Sequence, residues 1–146
     1  MERVHGRLIL LKKMSKHRIS IVFSVFNELG QNLLKDSLDH LSDLSGIEVI
    51  IVDGGSTDGT IDLVKKYPVK LIQTEKSSRA ERLNVGIDKA ENDLILLHHP
   101  RSIIEPSGLE YLQRNYKSIK WGGFSHRFIE DLPLLKFTSW YSNEVR

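Results

Sequence analysis

At 146 residues the chain suits one domain and leaves little room for a second. Its 21 basic and 19 acidic residues nearly cancel, which argues against a nucleic-acid partner, and the lack of cysteine excludes disulfides, zinc–thiolate sites and thiol catalysis. No apolar run approaches the roughly 18 residues of a membrane span.

Residues 1–17 read as an N-terminal extension. The apolar stretch at 8–11 is too short for a signal-peptide core, and the pattern changes at Met14-Ser15-Lys16-His17-Arg18. ISIVFSVF at 19–26 is β-branched and aromatic without strict alternation, which predicts a strand buried on both faces. Asn27 and Glu28 end it. Leu33, Leu34, Ser37, Leu38, Leu41 and Leu44 recur at helical spacing, so 31–44 reads as a helix stopped by Gly46. IEVIIV at 47–52 reads as a second buried strand. A punctuated loop follows at 53–59, then a short helix over 60–67, ended by Pro68. A third strand is expected at 69–73, a helix at 78–90, and a fourth strand, LILL, at 94–97. Pro106, Leu109 and Leu112 predict a fourth helix. Residues 119–128 read as a further strand, broken by Gly122-Gly123.

Strands and helices alternate with short connections. That order predicts an α/β, Rossmann-like, mostly parallel sheet with helices on both faces. Ligands of such sheets bind beyond the carboxyl ends of the strands, where strand order reverses. The chemically special residues fall there: Asn27 and Glu28 after the first strand, Asp53, Gly54 and Gly55 after the second, His98, His99 and Arg101 after the fourth. A carboxylate at position 53 can accept hydrogen bonds from a nucleobase or ribose, and glycines at 54 and 55 let a ligand approach the backbone. Ser56, Thr57 and Asp58 read as turn and helix-cap chemistry. Arg79 and Arg82 share a helical face near an N-terminus, where a guanidinium can hold a diphosphate, and Arg79 is the stronger candidate. Adjacent His98 and His99 point to opposite sides of a strand, so both cannot serve one metal. Neither a Walker loop nor a dinucleotide fingerprint is present.

Taken together these motifs resemble the family 2 glycosyltransferases, which have the GT-A fold and use nucleotide-activated sugars. SVFNE at 24–28 looks like the family's P-x-x-N-E strand end, with Ser24 in place of proline. VDGGSTDGT at 52–60 looks like V-D-D-x-S-x-D-G-T, with Gly54 in place of the second aspartate. SRAERLNVG at 78–86 and WGGFSHRF at 121–128 resemble motifs of a bacterial subgroup whose fourth strand ends in L-H-A-D-T. The resemblance covers about residues 18–140. It implies an 18–131 domain that binds a nucleotide-diphosphate sugar and hands the sugar to an acceptor. Asp53 would contact the base, Asn27 and Glu28 would line the same pocket, and Arg79 would lie by the nucleotide. The family's strand-four aspartate holds Mg²⁺ or Mn²⁺, but alignment puts Pro100 there, leaving His98 as a metal ligand or Arg101 to neutralise the diphosphate.

The family's acceptor half follows the segment resembling 132–140, so 132–146 is expected to begin an incomplete acceptor side, and no catalytic base is assigned. A fragment or a degenerate, non-catalytic relative is the alternative expectation; an unrelated doubly wound binding domain is a third. The apolar 132–146 segment is a candidate protein or membrane-surface contact. The expected location is the cytoplasm, with the inner membrane face as a site of contact.

Overall fold

The computed structural model describes residues 19–125, together with Pro133, Leu135, Lys136 and Ser139. The N-terminal extension at 1–17 lies outside the described residues, as does nearly all of 132–146.

Four parallel strands form one sheet: β1 (Ile19–Val25), β2 (Ile47–Asp53), β3 (Lys70–Gln73) and β4 (Ile95–His98). They lie in the order β3-β2-β1-β4. Chain order reverses between β1 and β4, which puts the switch point beside the end of β1. The connecting helices are α1 (Leu33–Ser42), α2 (Thr60–Val64) and α3 (Arg79–Asp88), and α4 (Pro106–Asn115) follows β4. A 3-10 turn at Leu29–Gln31 precedes α1.

Alternation along β1 assigns the two faces. Ile19, Ile21, Phe23 and Val25 pack with Leu34 and Leu38 of α1, Val64 of α2, and Leu109 and Leu112 of α4. Val22 joins Ile50 and Val52 against Leu83 and Val85 of α3. Fully burying such a side chain contributes about 1.5–3 kcal/mol, so the two central strands dominate the stability. β1 and β2 are buried throughout, as their apolar runs predict. β3 and β4 are short edges, and Leu97 is 48% exposed. Gly86 lets α3 approach the sheet closely, because a Cβ there would overlap Val22 Cγ1.

Two expectations need correction. The expected helix over 60–67 is regular only to Val64, because the amides of Lys66 and Tyr67 turn back three residues, to Leu63 and Val64, ahead of Pro68. No strand forms across 119–125. There Trp121 is 92% exposed, and among the described residues no atom beyond the chain neighbours lies within 4 Å of where a Cβ on Gly122 or Gly123 would sit. A double glycine carries no side chain to hold it against a sheet edge. Residues 126–128 of that expected strand lie outside the described residues. Among the described residues no helix is long and apolar enough to cross a membrane.

Candidate functional site

The carboxyl ends of β1, β2 and β4 gather three loops and the first turn of α3. Among the described residues, four side-chain hydrogen bonds tie the loop after β2 and the start of α2 to the residues that follow β1. Asn27 N–H donates to Ser56 Oγ at 2.8 Å, and Thr57 N–H donates to Asn27 Oδ1 at 2.9 Å. Glu28 N–H donates to Thr60 Oγ1 and Leu29 N–H to Asp58 Oδ2, both at 2.9 Å. Asn27 sits at φ +52°, a left-handed conformation that asparagine tolerates better than most residues.

Asp53 is 1% exposed and organises its own loop. Its Oδ2 accepts the amides of Gly55 (2.8 Å) and Ser56 (2.9 Å), and its Oδ1 accepts the Ser56 hydroxyl. The Gly54 amide reaches Val25 O at 3.1 Å. The amides of 54–57 are thus all engaged within the protein and leave no ready anion cradle. Of Ser56, Thr57 and Asp58, which read as turn and cap chemistry, Asp58 makes such a turn, its Oδ1 accepting the Thr60 amide at 3.0 Å, whereas Ser56 does not cap α2 but braces Asp53 and Asn27. Burial pushes the Asp58 carboxyl up, but the Thr60 hydroxyl and the amides of Leu29 and Thr60 outweigh it and hold the group below its ordinary range.

The two arginines of α3 part company. Arg82, the weaker candidate by sequence, is buried: its Nε donates to Ser24 Oγ at 2.8 Å and its Nη1 to the Ser77 carbonyl. A Cβ on Gly54 would lie 2.5 Å from that Nη1. Ser24 and Gly54, two of the departures from the family pattern, are therefore among the residues against which Arg82 packs. Arg79 is exposed and makes no hydrogen bond or ion pair among the described residues. A capping box starts the helix, with Glu81 N–H donating to Ser78 Oγ at 3.2 Å and Ser78 N–H to Glu81 Oε2 at 2.6 Å. That Ser-x-x-Glu spacing was available in the sequence.

After β4 the chain makes a tight turn. The Ser102 amide bonds His99 O at 3.1 Å, with Pro100 second in the turn, a position suited to its fixed φ. The Ser102 carbonyl accepts from His98 Nε2 (2.9 Å) and from the Ser37 hydroxyl (2.9 Å), which pins the turn to the sheet and to α1. His98 is buried edge-on to Phe23, with ring centres 5.0 Å apart. Burial, and less strongly the neighbouring His99, lower its pKa against the opposing Ser102 carbonyl. His99 points outward, as neighbours on a strand end should. Partial burial, then the charge of Arg79, with Arg101 adding and Glu28 opposing, push its pKa down. Its Nδ1 accepts the Arg101 amide at 3.1 Å. Arg101 Nε donates to Glu28 Oε2 at 2.9 Å, joining the β4 turn to the end of β1.

The metal expected at His98 finds no fitting donor set. One ring nitrogen is held by Ser102 O, Pro100 offers no oxygen ligand, and no group of three His, Asp or Glu side chains suited to a metal occurs among the described residues.

A parallel doubly wound sheet with glycine loop, basic turn and helix start meeting at its switch point defines an open α/β domain whose special residues lie where such sheets bind their ligands. The sequence pattern of glycosyl transferase family 2 matches residues 20–130, and the chain belongs to that family. The putative glycosyltransferase TagX of Staphylococcus aureus is 26% identical over 112 residues, covering 69% of this chain and 31% of that protein. The cholesterol galactosyltransferase of Borreliella burgdorferi is 23% identical over 110 residues, covering 70% and 30%. The chain thus spans about a third of the length of these relatives. Among solved structures, S. aureus TarS 1–349 in complex with UDP superposes with a TM-score of 0.62 at 22% identity, over 78% of this chain and 38% of that one. The mannosyltransferase PcManGT of Pyrobaculum calidifontis, in complex with GDP-Man and Mn²⁺, gives 0.59 at 20%, over 86% and 39%. The sheet is of the GT-A type.

Proposed function

We propose that this chain binds a nucleotide-diphosphate sugar and serves the transfer of its sugar to an acceptor. One arrangement carries the reading: the β1 end, the glycine loop and the basic β4 turn converge at the switch point of a family 2 sheet. In this reading Asp53, with Asn27 and Glu28, lines the base side of the pocket. Gly55 keeps its floor free of a side chain, and Gly54 makes room for the Arg82 guanidinium. Arg79 lies by the nucleotide, and His98 holds the turn that presents Arg101. The UDP and GDP-Man of the superposed structures support a diphosphate-linked donor. Calorimetric titration with UDP, GDP, ADP and CDP tests it. Binding of at least one is expected, and failure of all four would sink the reading.

Pro100, standing where the family pattern has its metal-binding aspartate, favours a second reading: a non-catalytic domain that binds the nucleotide without turning it over. Release of nucleoside diphosphate from the matching sugar nucleotide separates the two.

A further inference from the structure

Resting on the donor-binding reading, the inference concerns how the donor's charge is balanced. A diphosphate needs cationic or hydrogen-bonding partners. Three sources common at such sites can be checked here. The loop after β2 could offer amides, but those of residues 54–57 already bond Val25 O, Asp53 and Asn27. A divalent cation could bridge, but the β4 end offers a buried His98 already bonded to Ser102 O, an exposed His99 whose Nδ1 accepts the Arg101 amide, and then proline, and no group of three His, Asp or Glu side chains suited to a metal occurs among the described residues. Guanidinium groups remain.

Two are placed and available. Arg79 stands exposed at the start of α3, with no hydrogen bond or ion pair among the described residues. Among the described residues the Arg101 side chain is held by one nitrogen only, Nε on Glu28 Oε2, and it is 49% exposed. Holding Nε leaves the two terminal nitrogens as a fork, the geometry that suits phosphate oxygens. Pro100 has a purpose in this arrangement. It sets the His99–Ser102 turn, which His98, Ser37 and the His99 ring brace, and the turn delivers Arg101 to the end of β1.

We propose that Arg79 and Arg101 bind the donor diphosphate directly, in place of a divalent cation, so that nucleotide binding here does not require Mg²⁺ or Mn²⁺. The proline that removes a metal ligand is the same residue that builds the cationic substitute.

The test is calorimetry on the 146-residue chain with the best-binding nucleoside diphosphate and its monophosphate, each in EDTA and in Mn²⁺. Diphosphate affinity should be the same in both within about twofold, while Arg101→Ala and Arg79→Ala each weaken it about tenfold in EDTA. Monophosphate affinity should change less. Arg101→Lys should recover only part of the loss, since a point charge lacks the fork. Arg79 is exposed, so the melting temperature of Arg79→Ala should match the parent; Arg101→Ala also leaves the Glu28 carboxylate unpaired and should melt lower, which Arg101→Lys, keeping the charge, should largely restore. Diphosphate binding that needs Mn²⁺, or arginine variants that bind like the parent, overturns the proposal and leaves the donor-binding reading standing. Absence of binding to any nucleoside diphosphate in either condition removes that reading, and this proposal with it.

Discussion

At the amino end of the sheet, Glu48 is 8% exposed, and its charge is met entirely from within. Its Oε2 accepts the Ser20 hydroxyl at 2.5 Å and the Glu91 amide at 2.9 Å, Asn92 Nδ2 lies 3.4 Å away, and Lys70 Nζ stands 3.8 Å from Oε1. Lys70 in turn donates to Lys89 O at 2.8 Å. At the carboxyl end Glu28 is also largely buried, but its partner Arg101 is half exposed and Arg79 faces solvent. Both ends carry polar clusters that join distant segments. One closes the α3–β4 connection onto the sheet; the other leaves cationic groups facing solvent. Burial of a charge therefore does not mark a site. Donors left without partners do.

The largest effect that tests this contrast is expected at the closed end. Glu48→Ala leaves the buried Ser20 hydroxyl proton and the Glu91 amide without acceptors, while Asn92 Nδ2 keeps Ser20 Oγ at 3.0 Å, and should cost about 3 kcal/mol in urea denaturation. The nucleotide affinity of the folded fraction should not change. If it fell as well, the division of labour between the two ends would be wrong.

Gly86→Ala should come next, at about 2 kcal/mol, because the new methyl collides with Val22. Unlike Glu48→Ala it should also weaken nucleotide binding, since α3 carries Arg79 and must shift off the sheet.

At the open end, Asn27→Ala should cost about 1 kcal/mol by thermal unfolding, because the Thr57 amide loses its acceptor. Asn27→Gly loses the same bond but accepts φ +52° freely, so it should be the milder of the two. Equal losses would mean that the backbone conformation carries no strain.

The smallest effect is a pH slope. His98 titrates below its ordinary 6.5 when folded, so the unfolded chain binds more protons between the two pKa values. Its contribution is complete above pH 6.5 and is lost as the pH falls from there through the folded pKa. Denaturation midpoints measured across that range should show the slope in the parent and a flatter one in His98→Gln.

Much of the fold could be read without coordinates. Apolar runs at 19–26 and 47–52 became strands buried on both faces, because a parallel strand covered by helices needs no polar side. The expected strand at 119–128 failed over its described part because β-like composition counts for little without a partner edge and with two glycines inside. Candidate site residues could be located by position, at strand carboxyl ends, more readily than given a role. Spacing put Arg79 and Arg82 on one helical face without showing that Arg82 is the one held against Ser24, and the paired signals at Ser24 and Gly54 were visible but not joined. The Ser20–Glu48 pair was missed as well. Two polar residues in otherwise apolar strands, in register across β1 and β2, are a legible sign of a buried network once the register is known.

By itself the sequence determined the succession of strands and helices, and with it the gathering of Asn27, Glu28, Asp53, His98 and Arg101 at one edge. Periodicity and turn chemistry are local, and strand ends follow from them. Only the tertiary structure decided that Asp53 is engaged by its own loop, that His98 turns inward to support Ser102, and that Arg101 reaches Glu28 while Arg82 is held by Ser24. The last two contacts join residues 73 and 58 positions apart. Which donor is satisfied and which is left free depends on such distant pairings, and no local pattern encodes them.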